Sequence, residues 1–381
     1  MEYTYPEYLY DFQCEASACS DTCCEGWRIA IDPVSLKKYR KYPGFFGNRL
    51  RNSIDWDKEA FEQYNGRCVF LNDENLCDIY KEAGEGMLCK TCTRYPRHYE
   101  EYENLREISL SLSCPAAAKM ILGQKKKLDF LNEYRETPEE EYEQFDFFLF
   151  TKLNEIRDYY YKVIQDRELS LEFRMALLLA TAHDLQERIN REQLHEVDDL
   201  LKRYSRPVFL KTAKKKFAEF KENEVQKRTQ RRKLWQKLYR LEVLRRGFRD
   251  YLKKQDQYLY QEISQEAYEE ACRNYEEAAE ECEYEQLLVY YVFCYACGAV
   301  YDGDLFSKIK LAVVHTLLLR ELQMASWLEN EKKLSFHDRV ELVHRYARET
   351  EHSDPNMEAM ENMAAEEEDF CLRKLLTAVL G

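Results

Sequence analysis

Two hydrophobic patterns divide the chain. In its first third, apolar and polar residues alternate over short stretches, and Trp27 to Asp32 (WRIAID) and Ile108 to Ser113 (ISLSLS) read as brief half-buried strands. They could pair with each other. Asp32-Pro33 opens a helix over Val34 to Tyr42, with proline in the first turn, where its missing N–H has no partner to lose. Cys68 to Leu71 leads through an Asn-Asp-Glu-Asn turn to Cys77, and Tyr95-Pro96-Arg97 predicts an extended exit, because proline restricts the residue before it. From about residue 126 the pattern lengthens to a helical period. Thr137-Pro138-Glu139-Glu140 reads as a helix start with carboxylates in the first turn, and Leu171 to His183 as an apolar core helix. Leu288 to Val300 is a second helix of core type. The pattern predicts a mainly α protein: an irregular domain with a few short strands over 1–125, then a large α-helical domain over 126–381.

The cysteines change the picture of the first domain. Nine of the fourteen fall within the first 114 residues, at Cys14, Cys19, Cys23, Cys24, Cys68, Cys77, Cys89, Cys92 and Cys114. Free cysteine as a small core hydrophobe has no reason to cluster in sequence. A disulfide scaffold fits poorly, with an odd number in the cluster, no secretory signal ahead of Cys14 and a chain long enough to build a core unaided. Thiolate ligation of a metal is the stronger reading, with Cys19, Cys23, Cys24, Cys68, Cys77, Cys89, Cys92 and Cys114 as ligand candidates. Adjacent Cys23 and Cys24 point in opposite directions on an extended chain, so one binds while the other packs. Zinc prefers a closed tetrahedron from paired knuckles, and only Cys89-x2-Cys92 has that form here; iron–sulfur clusters gather thiolates from dispersed positions. Both metals stay open on spacing alone. Cys294-x2-Cys297 lies in a tyrosine-rich apolar helix and reads as packing.

Charge narrows the partners. With a formal net charge of −14, general nucleic-acid binding is disfavoured. The chain is strongly basic between Lys202 and Lys254 and acidic from Glu262 to Glu285, which reads first as two solvated helix faces that could face each other; a basic stretch that steers an acidic protein partner is the functional alternative, with nucleic acid ranked below it. No apolar run reaches the ~20 residues of a membrane helix, and without a targeting segment the expected address is the cytoplasm, where thiols stay reduced.

Five segments resemble the flagellin lysine-N-methylases: FQCEASACSDTCCEGWRIAID (Phe12 to Asp32), CVFLNDENLCDIY (Cys68 to Tyr80), LCKTCTRYPR (Leu88 to Arg97), SLSLSCPAAA (Ser109 to Ala118) and HRYARETEHSDPN (His344 to Asn356). More loosely they resemble cysteine-cluster proteins of the zinc- or iron-chelating kind. The resemblance implies transfer of methyl groups from S-adenosylmethionine to lysines of flagellin, with an iron–sulfur cluster, of the 4Fe-4S type, in the cysteine domain.

The last segment carries a second constellation. On a helix, His344, Arg348 and His352 follow one another at intervals of four along one stripe, with Arg345 and Glu349 on an overlapping face. The resemblance makes Arg348 the residue for the cofactor's carboxylate, Glu349 or His352 the catalytic base, and His344 and Arg345 substrate-binding residues. A base is needed because an ε-ammonium of pKa ~10.4 has no lone pair with which to take a methyl group. No strand-to-helix turn of the G-x-G kind is present, so the cofactor site would be of a non-Rossmann type. The residues alone leave an alternative: a non-catalytic zinc or iron–sulfur protein acting as a partner-binding scaffold or redox sensor.

Overall fold

The computed structural model describes residues 1–137, 145–220, 224–245 and 247–381. The helix start read at Thr137 lies, from Pro138 to Glu140, outside the described residues. The fold is mainly α, with a few short strands.

A four-stranded sheet joins the two ends of the first third. Its strands are β1 (Glu2–Pro6), β2 (Arg97–Tyr102), β3 (Leu105–Leu110) and β4 (Phe130–Tyr134), in the order β2-β3-β1-β4. β1 runs parallel to β3 and antiparallel to β4, while β2 and β3 form a hairpin. The expected ISLSLS strand thus begins three residues early and ends at Leu110, where Ser111 turns to donate to Pro96 O at 2.8 Å. The strand expected over Trp27 to Asp32 does not form. That segment makes one isolated bridge, Ala30 to Ala60, because it meets only a two-residue ribbon that ends before a ladder can extend.

Two hydrophobic cores result. The smaller gathers Ile29, Ile31, Tyr39, Phe61, Phe70 and Cys89. Two of its helices, α1 (Pro33–Lys41) and α2 (Lys90–Arg94), share one cap: Asp32 accepts from Ser35 N at 2.9 Å and from Lys90 N at 2.8 Å. The larger core begins with Met1 to Leu9, resumes at Tyr102 and takes in the whole helical part. The smaller core thus draws on the middle of the first third, from Ile29 to Cys89.

The larger core is built on α3 (Pro115–Leu122), α4 (Phe147–Ile164), α5 (Leu171–Asn190), α6 (Glu224–Lys237), α7 (Glu281–Tyr295) and α8 (Leu305–Glu329). It is closed by α9 (Phe336–Glu351), α10 (Asp354–Glu366) and α11 (Leu372–Leu380). α7 and α8 are apolar on nearly every side and consequently run through the interior. Their few carboxylates are neutralised by arginines: Glu283 by Arg339 at 2.8 Å, Glu285 by Arg174 at 3.1 Å and Glu321 by Arg231 at 2.7 Å. Cys294 and Cys297 are buried packing residues that donate weakly to Ser109 Oγ and Asn154 Oδ1.

The basic run is not simply a solvated face set against the acidic one. Lys214 to Lys216 are exposed, but Arg231 is buried, and Arg231, Arg232 and Lys237 pair with Glu321, Asp256 and Glu367. Among the described residues no helix is long and apolar enough to cross a membrane.

β3 is covered on both faces, which buries Glu107 at 2% exposure, and Arg157 of α4 answers it with two hydrogen bonds, one of 2.6 Å. Removing one partner strands a buried charge, so Arg157→Met should cost about 3–5 kcal/mol in chemical denaturation, and Glu107→Leu added to it should recover most of the loss.

Candidate functional site at the junction of the cysteine region and the C-terminal block

The segment from Phe12 to Trp27 has no regular structure beyond two single turns, and it is fastened from outside. Cys68 N donates to Cys24 O at 2.8 Å, Gly26 N to Gly66 O at 2.9 Å, and Trp27 Nε1 to Cys23 O at 2.7 Å. Gly26 sits at φ +88°, and a Cβ there would lie 2.8 Å from Arg245 Nε, so both conformation and space call for glycine.

These fastenings bring thiols together from three segments. Cys89 and Cys92 hydrogen-bond to each other: the bond favours the thiolate of Cys89, whose pKa falls, and raises that of Cys92. Cys23 is raised by its bond to Cys24 and by burial, and burial pushes Cys68 up to about 12. Cys68 feels the charges of Cys77, Cys89 and Cys23; Cys92 feels those of Cys24 and Cys23. Cys19 and Cys114 each feel the charge of Cys23 as well. All fourteen cysteines are free thiols, and among the described residues no three ligand-type side chains converge closely enough to enclose a metal ion. The donor set is nonetheless soft sulfur, the chemistry of zinc and iron–sulfur sites.

The C-terminal block docks on this region through the helix stripe. Arg348, 3% exposed, makes four hydrogen bonds and an ion pair there. Nε donates to Ser113 O at 3.1 Å, Nη2 to Asp21 O at 2.8 Å and Thr22 O at 3.0 Å, and Nη1 to Glu25 O at 3.2 Å, while Nη1 also pairs with Asp21 Oδ1 at 3.2 Å. The guanidinium is thus turned onto the protein's own backbone and onto Asp21. His344 is fully buried, with Nε2 3.0 Å from Glu341 and Nδ1 3.7 Å from Asp21. Arg345 faces solvent and pairs with Glu341 at 3.5 Å. Glu349 points the other way and accepts from the backbone of Leu244 at 2.9 Å and Arg245 at 2.7 Å. Burial raises its pKa. Arg245 then turns to pair with Asp21 and Glu25. His352 caps the helix against Ser113 Oγ, its ring 4.8 Å from Trp27 and 5.4 Å from Tyr95. Burial and the nearby Arg348 hold its pKa down to about 3, so it is neutral at physiological pH.

Behind this junction lies a slot of about 30 Å³, lined by Tyr291 and Tyr295 of α7, Ala312 and His315 of α8, Glu351 of α9 and Met357 of α10. Glu351 Oε2 accepts from Tyr290 at 2.6 Å and Tyr295 at 3.1 Å, and Tyr290 in turn accepts from Leu112 N at 3.4 Å. Sequence reasoning passed over Glu351 and these tyrosines. Two adjacent tyrosines and a third four residues on, inside an otherwise apolar helix, were the available signal. Nothing in the sequence pointed from them to Glu351.

Comparison with known proteins agrees with this layout. The family model described as the FliB lysine N-methylase C-terminal domain matches residues 157–378. The flagellar biosynthetic protein FliU of Salmonella muenchen is 33% identical over 129 residues, which are 32% of this chain and 76% of that protein. The lysine-N-methylases of Salmonella choleraesuis and Salmonella typhimurium are each 32% identical over 129 residues, 32% of this chain and 32% of either relative. The match thus spans about a third of the length of those two relatives. No solved structure matches. With more than half of its length under the family model, the chain belongs to the FliB lysine N-methylase family.

Proposed function

We propose that the chain is a protein-lysine N-methyltransferase that acts on a flagellar protein, flagellin, with S-adenosylmethionine as methyl donor. The observation that carries this reading is the family match over 157–378, which contains the whole face that docks on the cysteine region. The printed names of the relatives, a flagellar biosynthetic protein and two lysine-N-methylases, support the substrate class. The free thiols suit a reducing compartment such as the cytoplasm.

In this reading the thiols of Cys23, Cys24, Cys68, Cys77, Cys89 and Cys92 hold a metal group, a 4Fe-4S cluster or in its place zinc, with Cys19 and Cys114 at its edge. When bound, such a group cross-links chain segments that make few backbone bonds of their own. Arg348 is occupied by the protein's own carbonyls and by Asp21, and no residue of this junction is assigned to the methyl donor. We give Arg348 a positioning role instead: it holds the carbonyls of Asp21, Thr22 and Glu25, and with them Cys23 and Cys24, in place.

The deciding assay is incubation of protein purified without oxygen with S-adenosylmethionine and flagellin, followed by mass spectrometry. Methylated lysines are expected; metal-replete protein that leaves flagellin unmodified defeats the proposal. Iron with matching acid-labile sulfide identifies the cluster, and zinc without sulfide identifies the alternative. Cys77→Ser and Cys92→Ser should each lose metal and melt at lower temperature. Arg348→Ala should cost about 1–3 kcal/mol by leaving the carbonyls of Ser113, Asp21 and Thr22 without their donor, while Arg245 still pairs with Asp21, and should speed hydrogen exchange across residues 19–27. Arg348→Lys should not rescue it, because an ammonium cannot reproduce the planar fork.

A further inference from the structure

Lys227 is the exception among the lysines that the fold covers. Lys152 and Lys237 each hold a carboxylate at 2.6 Å, Lys308 holds one at 2.5 Å, and Lys310 donates to Ala364 O at 2.5 Å. The Lys227 side chain is 13% exposed, yet its ion pair, with Glu224 one turn back on α6, is 3.7 Å long. Among the described residues its ammonium makes no hydrogen bond. Glu172 lies within its field but is taken by Arg320, and Arg231 adds repulsion from the same helix. Burial, reinforced by Arg231, lowers the Lys227 pKa. A covered ammonium held so loosely carries a desolvation cost.

Lys227 lines a cleft of about 450 Å³ walled by α5, α6, α8 and the helices Pro207–Ala218 and Gln265–Ala278, with Leu380 of α11. The volume lies in the ~300–1,000 Å³ range of cofactor pockets. Its walls combine a flat apolar surface with unevenly placed charge. The rings of Phe173 and Phe217 meet edge to face at 5.6 Å. The well-covered charges are three cations, Arg231, Arg320 and Lys227, against two carboxylates, Glu321 and Glu172. Arg231 pairs with Glu321 at 2.7 Å and Arg320 with Glu172, which leaves Lys227. Glu276 stands farther out, 61% exposed and 3.9 Å from Arg320. The cleft therefore suits a ligand with an anion inside, a cation toward the mouth and a planar ring.

We propose that this cleft binds the methyl donor, S-adenosylmethionine, with Lys227 receiving the carboxylate of its amino-acid end, Glu276 the ammonium beside it, and Phe173 and Phe217 the adenine. The inference rests on the lysine-methylating reading and deepens it by assigning the donor site. A carboxylate placed against Lys227 supplies the close counter-charge that Glu224 does not, and charge-assisted hydrogen bonds of this kind are the strong ones. Every described lining residue lies at or beyond Ser170, and all but Leu380 fall within the matched 157–378. Donor and thiols thus belong to separate parts of the chain.

A lowered lysine pKa has a definite sign in stability. The penalty is complete below the folded pKa and is relieved as pH rises to the unfolded value near 10.5. Lys227→Met, which keeps the length of the side chain and removes its charge, should therefore melt no lower than the native protein at pH 7 in the absence of ligand.

Binding is read apart from turnover, by calorimetric titration of the metal-replete full chain with S-adenosylmethionine, S-adenosylhomocysteine and adenosine. All three are expected to bind the native protein. Lys227→Met is expected to weaken the first two by about tenfold or more and to leave adenosine, which has no carboxylate, unchanged. Ala218→Trp, which fills the cleft from its exposed side and leaves the charges in place, should weaken all three while keeping its fold by circular dichroism. Equal affinity of S-adenosylmethionine for native protein and Lys227→Met overturns the cleft, as does a loss that extends equally to adenosine or native protein that binds no S-adenosylmethionine. Flagellin methylated by the native protein with Lys227 irrelevant to binding leaves the enzymatic reading standing without this site. Binding that depends on Lys227 in a protein that never methylates flagellin keeps the site and removes the methylase.

Discussion

The buried guanidinium of Arg348 is the contact on which the rest of the structure depends. A loop such as 12–27 leaves carbonyls with no ladder or helix to receive them, and buried carbonyls must find donors. Arg348 reaches them from the other end of the chain, and its charge is balanced by Asp21. One side chain thereby answers the backbone of the loop that carries Cys23 and Cys24 and locks the smaller core onto the larger. Glu349, the next residue, steers Arg245 toward the same Asp21 and Glu25, so consecutive residues of α9 grip the loop directly and through a relay.

This arrangement sets an order of assembly. The bonds from Arg348 to the loop span 323 to 327 residues, and the loop-closure entropy of so distant a contact is repaid only after the helical core exists. The thiols of 19–24 consequently take their final positions late, on a platform already built. A metal that binds them stabilises a geometry that the C-terminal block has prepared.

The sequence showed the helical class, the Asp32 cap, the turn before Cys77 and the clustering of thiols, because each is written in a local pattern of period, cap or spacing. The stripe of His344, Arg348 and His352 was equally legible as a stripe, and the structure does set those three against one surface. What they meet there was not legible, because Asp21, Ser113 and Trp27 lie hundreds of residues away. The strand expected at Trp27 to Asp32 failed for a similar reason: alternation records which side is buried, and a ladder also needs a partner of matching length. The basic run was misread at Arg231, whose burial depends on Glu321 in another helix. Glu351 was invisible because a glutamate in a charged helix carries no mark of the tyrosines it will face.

The last residues of α9 join the two halves of the site. Tyr290 donates to Glu351 and accepts from Leu112, while Ser113, next along that strand exit, bonds to His352 and offers its carbonyl to Arg348. Residues 112–114 are thus shared: one side orders the tyrosines of the slot, and the other ends at Cys114 beside the thiols. A neutral His352 suits this position, since an imidazolium would face Arg348 and Arg245. Tyr290, Tyr291 and Tyr295 surround the Glu351 carboxyl, so the strand exit that fixes Arg348 and His352 also fixes, through Tyr290, a carboxyl held by phenols where the other buried glutamates of the core meet arginine.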